Sequence, residues 1–332
     1  MTAPASAFDL LDAAAIEALP DLDWLIAGVI PAPSFAVLYG SPGAGKSFCA
    51  LSLSLAVASG SPWLGRETRR APVLYIAAEG VLGLKLRLRA HREKYGVPPP
   101  STADMRFVAS AIEIMNPEHV AALLAQFNAA GFRPGLIVVD TLARVALGAD
   151  ENSASAMGLV VDGFDALRRE TGAAVLVLHH DKKGGGAERG SSALRGAADV
   201  MIKCEALGDG KAVGVTLECD KMKDAEPFGL ITAGLESVKL PDGSSSLVVT
   251  LPGDFLAQFR AAHAEKILDL LRTQFAETGA THGELKKAFV AAKLGSESTF
   301  NRAIRELKDS KQVEYNSKLK RYFLPQRMKA DL

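Results

Sequence analysis

Short apolar runs rich in β-branched residues alternate with longer amphipathic or polar stretches at positions 35–39, 73–78, 136–140, 174–178, 200–204, 213–219 and 247–251. Runs of this kind predict strands buried on both faces. The intervening stretches are long enough for helical crossovers, which gives an α/β fold around a mostly parallel sheet. The last runs are separated by short turns at Gly208-Asp209-Gly210 and Pro241-Asp242-Gly243, and these predict antiparallel strands added at one edge. Pro98-Pro99-Pro100 breaks the chain inside this unit, because strands of the sheet are needed on both sides of it.

The composition changes near 253–261, and beyond it the pattern predicts helices at 262–275, 281–292 and 296–310, then a hairpin of 313–315 and 321–324 around Asn316-Ser317-Lys318. Phe300, Ile304 and Leu307 recur at i, i+4 and i+7 and predict one buried helical face. Ser298, Arg302 and Arg305 fall on another, expected to be left free to dock. An apolar pattern at 8–19 predicts an N-terminal helix. The chain therefore divides into an arm at 1–30, an α/β domain at 31–255 and a small C-terminal domain at 260–325.

Of the 332 residues, 48% are hydrophobic and 23% charged, values that exclude a disordered or fibrous chain. Cys49, Cys204 and Cys219 have no paired spacing, so neither a disulfide framework nor a zinc cluster is expected. The first 24 residues carry acids and no Lys or Arg, and no apolar run approaches the length of a membrane span. The expectation is a soluble, cytoplasmic protein without a membrane partner. A net charge of zero conceals an asymmetry: residues 260–332 hold 15 Lys/Arg against 9 Asp/Glu, and residues 1–259 hold 23 against 29. A basic C-terminal region suits a polyanion such as DNA or RNA, and equally an ordinary solvated helical surface.

Gly40-Ser41-Pro42-Gly43-Ala44-Gly45-Lys46-Ser47 fits G-x-x-x-x-G-K-[ST], follows a predicted strand and opens a helical stretch. The glycines let successive N–H groups turn inward around a phosphate, with the positive helix end behind them. Lys46 is placed to reach the β- and γ-phosphates of a nucleotide, and Ser47 a magnesium ion. Hydrolysis needs two more parts, a carboxylate near the metal and a group that activates water. Asp140 ends an apolar strand and is expected beside the loop if its strand neighbours 35–39, although a strand-terminal Asp also commonly caps a helix. Glu79 ends the run 73–78 at the edge where open α/β sheets bind ligands and is the candidate general base; the plainer reading is a loop glutamate in solvent. His179 and His180 point to opposite faces of a strand and have no Cys or third His nearby, which argues against a zinc site.

These residues together resemble the RecA-type ATPase superfamily, and within it the branch of RepA-like plasmid replicative helicases and prophage AAA-family ATPases. The resembling stretch runs from Asp23-Trp24-Leu25 through GSPGAGKS, YIAAEG, LIVVDTLARVALGADENSASAMG, VLVLHHDKKGGG and CDKMKD to about Gly229. The resemblance implies a RecA-like P-loop NTPase core that uses ATP and Mg2+, with Glu79 activating water and Asp140 serving the metal. It implies that His179 or His180 senses the γ-phosphate and that the following basic, Gly-rich segment, with Lys182, Lys183 and Arg189, contacts single-stranded DNA. Lys221 and Lys223 are similar to a K-x-[RK] element that reaches the neighbouring subunit's ATP, which implies a homo-oligomer, a hexameric ring. The family often has Arg where Lys223 stands, and an ammonium lacks the planar fork of a guanidinium.

The C-terminal pattern resembles a winged helix-turn-helix, which implies duplex DNA contact through residues such as Arg302 and Arg305, or a protein contact instead. The leading function is an ATP-hydrolysing motor on nucleic acid, a replicative DNA helicase or helicase-like ATPase of a mobile element. The alternative is an ATP-gated DNA-binding or scaffolding regulator without unwinding activity.

Overall fold

Strands form where apolar side chains occupy both faces of an extended segment: Leu136 to Asp140 and Phe35 to Gly40 are buried at every position. The computed structural model describes residues 10–78, 80–110, 112–180, 192–208, 214–292, 294 and 297–325. A short helix, α1 (Ala13–Glu17), precedes a hairpin of β1 (Trp24–Ile26) and β2 (Ile30–Pro31). Then come β3 (Phe35–Gly40), α2 (Lys46–Ser59), β4 (Val73–Ala77), α3 (Val81–Tyr95), β5 (Met105–Val108), α4 (Pro117–Ala129), β6 (Leu136–Asp140), α5 (Leu142–Val145), α6 (Ala154–Thr171) and β7 (Ala174–His180). They are followed by α7 (Ser192–Ala197), β8 (Val200–Leu207), β9 (Gly214–Met222), β10 (Ile231–Lys239) and β11 (Ser245–Thr250). The C-terminal part consists of α8 (Asp254–Thr273), α9 (His282–Ala291), α10 (Glu297–Asp309), β12 (Glu314–Asn316) and β13 (Arg321–Phe323).

Strands β3 to β11 make one sheet in the order β11-β10-β9-β8-β3-β7-β6-β4-β5. From β8 to β5 neighbouring strands run parallel, and β9, β10 and β11 add antiparallel. This is the mostly parallel α/β architecture expected for a RecA-like P-loop core. One expectation is corrected: β6 does not neighbour β3, because β7 lies between them. Helices α2 and α3 cover one face over Leu38, Leu176 and Val138, and α4, α5, α6 and α7 cover the other over Val37, Val177 and Ile137.

The arm boundary at residue 30 cuts a structural unit, since Leu25, Ile26, Val29 and Ile30 of the hairpin region already belong to the main core, whereas α1 buries none of its residues. At the other end, the expected break at 255–260 falls inside α8, whose first turn begins directly after Gly253. Beyond it a separate apolar cluster gathers Ile267, Leu271, Leu285, Phe289, Phe300, Ile304 and Leu307. A capping box of Thr281 and Glu284 starts α9, and Ala280 bridges Tyr322 of the hairpin. Among the described residues no helix is long and apolar enough to cross a membrane.

Candidate functional site

The loop from Gly40 to Ser47 leaves β3 pressed against its neighbours. A Cβ on Gly40 would lie 2.1 Å from the carbonyl oxygen of Cys204 in β8. Gly45 has φ +97°, and a Cβ there would lie 2.5 Å from Cγ1 of Val215 in β9. Glycine is thus required at Gly40 by the close approach of the β8 backbone, and at Gly45 by its positive φ together with the close approach of the Val215 side chain. Within the loop the Ala44 N–H donates to the Ser41 carbonyl (3.1 Å), and the Cys204 thiol donates to the Ala44 carbonyl (3.3 Å). The neighbouring Cys204 thiol first, and burial after it, raise the Cys49 thiol pKa; both cysteines are free.

Gly45 is the N-cap of α2 and supplies no side-chain cap; its carbonyl accepts from the N–H groups of Phe48 (3.0 Å) and Cys49 (3.0 Å), and the loop lies at the positive end of a 14-residue helix. Lys46, largely buried, donates from Nζ to the carbonyls of Gly40 (2.6 Å) and Ser41 (3.0 Å). Its Nζ is also 3.2 Å from Nδ1 of His180. An ammonium has only donors, so Nδ1 is the acceptor and the imidazole proton sits on Nε2. The register pairs Tyr39 with His179 and Gly40 with His180, which brings the end of β7 level with the loop. Of the two histidines, His180 is the one at the lysine. His179 is buried on the opposite face.

Although β7 separates β3 from β6, α2 crosses the sheet and carries Ser47 to the end of β6. There the Ser47 hydroxyl donates to Oδ1 of Asp140 (3.1 Å). The Tyr75 hydroxyl donates to Oδ2 of the same carboxylate (2.7 Å). Burial first, then the Asp140 charge, pushes the Tyr75 pKa well above its ordinary value. Beside them the buried Thr141 Oγ1 has no hydrogen-bond partner among the described residues. Ser47 and Asp140 offer hard oxygen donors of the kind that hold Mg2+ together with waters and phosphate oxygens. Among the described residues no three His, Cys, Asp or Glu converge as a closed metal cage. An uncapped helix start, a cationic lysine and a serine–carboxylate pair fit a nucleotide phosphate with its magnesium.

Glu79, Lys182, Lys183 and Arg189 lie outside the described residues. Lys221, still within β9, donates to three carbonyls around the end of α7, those of Arg195 (2.8 Å), Gly196 (3.1 Å) and Ala198 (2.5 Å). Lys223 places Nζ 3.7 Å from Oδ1 of Asp199. Lys221 pairs with Met201, which pairs with Val37, so both lysines sit toward the edge where the parallel strands begin, away from their own phosphate loop.

Arg302 requires a correction. It does not stand free: its side chain is 11% exposed, with Nη2 4.0 Å from Oε2 of Glu205. The same nitrogen donates to Thr216 Oγ1 of β9 (3.1 Å). The helical pattern identifies a non-core face of α10 but does not reveal that this face meets the sheet. Arg305, on the same helix, is exposed.

Three residues that support the site or the opposite end of β3 carry no motif. Tyr75 is visible in retrospect as a hydroxyl inside an otherwise apolar buried run, where a partner is required. Asp220 accepts from the Tyr39 hydroxyl (2.8 Å) and pairs with Arg195, joining the residue before the loop to α7. Asp199 accepts from the Phe35 N–H (2.8 Å) and from Arg168 (2.8 Å) at the start of β3. Neither acid is distinguishable in sequence from a solvated one.

Among solved structures, the chain is similar to a KaiC-like protein from the hyperthermophilic archaeon Pyrococcus horikoshii OT3, at 17% identity over 70% of this chain and 95% of that one, with a TM-score of 0.45. The family model described as AAA domain matches residues 2–186, a span that takes in β3 to β7 and with them the loop, Asp140 and His180. Because that match covers more than half of the 332 residues, the chain belongs to the AAA domain family, and its α/β core is that of a P-loop ATPase.

Proposed function

We propose that the protein is a motor that couples ATP hydrolysis to movement along nucleic acid, with single-stranded DNA as its track and a homo-hexameric ring as its working form. This is the activity of a replicative DNA helicase or helicase-like ATPase. The observation that supports it most is the contact between Lys46 and His180: the residue at the end of β7 touches the phosphate-binding lysine. The chain then passes directly into the basic segment 181–191, with Lys182, Lys183 and Arg189. A change of partner at His180 when the γ-phosphate leaves would be felt at the first residue of that segment.

In this reading the N–H groups of the loop wrap the β- and γ-phosphates, and Lys46 exchanges the carbonyls of Gly40 and Ser41 for phosphate oxygens. Ser47 and Asp140 would hold Mg2+, which would supply charge neutralisation on the phosphates. Glu79 takes the proton of the attacking water. Lys221 and Lys223 would reach the triphosphate of the adjacent protomer only after exchanging their partners at the end of α7 and at Asp199 for phosphate oxygens.

ATPase rates with and without single-stranded DNA, together with strand displacement on forks of either polarity, test the proposal. DNA-stimulated turnover with displacement is expected, and Glu79→Gln should retain ATP binding while losing turnover. Parental hydrolysis by Glu79→Gln overturns the catalytic assignment. The separate C-terminal apolar cluster, in a region with 15 Lys/Arg against 9 Asp/Glu, favours a second reading, an ATP-gated DNA-binding or scaffolding regulator without unwinding; its signature is nucleotide-dependent DNA affinity without displacement.

A further inference from the structure

We propose that Tyr75 is a positioning residue for the divalent metal: its hydroxyl fixes the Asp140 carboxylate so that Oδ1, the oxygen shared with Ser47, faces the metal position. This rests on the reading of Ser47 and Asp140 as the metal-holding pair. Tyr75 and Asp140 stand on adjacent parallel strands, where the register pairs Tyr75 with Val138 and Ala77 with Asp140. Tyr75 is therefore diagonal to Asp140 on one face, a separation that a phenol spans and shorter side chains do not.

The ring is held rigidly. Tyr75 is 1% exposed, and its centroid lies 6.1 Å from that of Phe107 on β5. A carboxylate turns readily about its terminal torsion and would otherwise present either oxygen. Here Oδ2 is taken by a buried, charge-assisted hydrogen bond of 2.7 Å, which leaves Oδ1 toward Ser47. Because the Ser47 hydrogen then points at Oδ1, the lone pairs of its oxygen remain available to a cation. Tyr75 acts through Asp140 and touches neither substrate nor metal.

The test is Mn2+ binding to the ADP complex, read by electron paramagnetic resonance, in the full-length protein and in Tyr75→Phe, Asp140→Asn and Ser47→Ala. Tyr75→Phe should weaken Mn2+ binding about tenfold while leaving metal-free ADP affinity within about twofold, a split that a purely structural tyrosine would not produce. Mn2+ affinity unchanged in Tyr75→Phe but weakened in Asp140→Asn overturns the role of Tyr75 alone. Affinity unchanged in Asp140→Asn removes the metal-site reading and this inference with it. Should Tyr75→Phe fail to fold, the unsubstituted protein labelled at tyrosine Cζ, with resonances assigned by replacing its other tyrosines, decides the matter. The Tyr75 resonance should move when Mg2+ joins ADP, and a resonance that stays in place overturns the proposal.

Discussion

Nδ1 of His180 accepts from Nζ of Lys46 at 3.2 Å, and this contact exists because β7 is inserted between β3 and β6. The strand that separates the phosphate loop from Asp140 ends in an imidazole at the lysine. In the proposed cycle Lys46 turning to a phosphate would break this contact, whereas His179 is buried in the opposite layer.

If His180 responds to the γ-phosphate as proposed, His180→Gln should lower kcat about 100-fold while ADP affinity changes only a few-fold, the loop being intact. His179→Gln should instead appear mainly as a lower melting temperature, since it disturbs a buried position away from the lysine. Steady-state kinetics and thermal unfolding on both variants separate the two roles.

Gly45→Ala should destabilise the protein by about 1–3 kcal/mol and abolish tight ADP binding, as read by denaturant titration and a fluorescent ADP analogue. Two causes act there, a positive φ and the 2.5 Å approach of Val215 Cγ1. Adding Val215→Ala removes the second and not the first. The double variant should therefore be less destabilised than the sum of the singles, with nucleotide binding only partly restored.

The phosphate loop motif, the strand-terminal Asp140 and the parallel strands β3, β4, β6, β7 and β8 are legible in sequence because each is a local pattern: glycines at fixed spacing, or a short apolar run. β5 and β10 were not, for physical reasons. Met105 to Val108 is an edge strand with Phe107 half exposed, so no continuous apolar run marks it. Ile231 to Lys239 is apolar at its start and polar at its end, with a glycine between. The site's supporting contacts were hidden for another reason. Tyr75 to Asp140 and Tyr39 to Asp220 join residues far apart in the chain, and only the strand order brings them together. The separation of β3 from β6 is likewise a property of strand order, which spacing along the chain does not encode.

Asp220 gives a pH dependence of known sign. The Arg195 guanidinium first, and the Tyr39 hydroxyl after it, hold its carboxyl below the ordinary aspartate value against the opposing effect of partial burial. A depressed folded-state pKa contributes stability above the unfolded value near 3.9, and that contribution is lost as pH falls through the folded value. Asp220→Asn should lower the melting temperature at pH 7 by on the order of 2 °C, with the gap from the parent closing below about pH 4. Melting curves between pH 3 and 8 check this, and a gap that widens on acidification contradicts the pairing.

Arg302 and Arg305 lie three residues apart on α10 and should behave differently. Arg302 is largely buried against Thr216 and Glu205, so its truncation removes a polar anchor between the C-terminal cluster and β9, a change worth about 1–2 kcal/mol. The apolar cluster around Phe289 and Phe300 does not depend on that anchor. Arg302→Ala should therefore keep its fold yet show faster proteolysis at 251–261 and a larger radius of gyration in solution scattering. Arg305 is exposed, and Arg305→Ala should leave both measurements at parental values. If the C-terminal domain binds duplex DNA, Arg305→Ala should weaken that binding a few-fold, with the salt slope reduced by about one. Loss of duplex affinity in Arg302→Ala without altered proteolysis or scattering would place that arginine on the nucleic acid and not on the sheet.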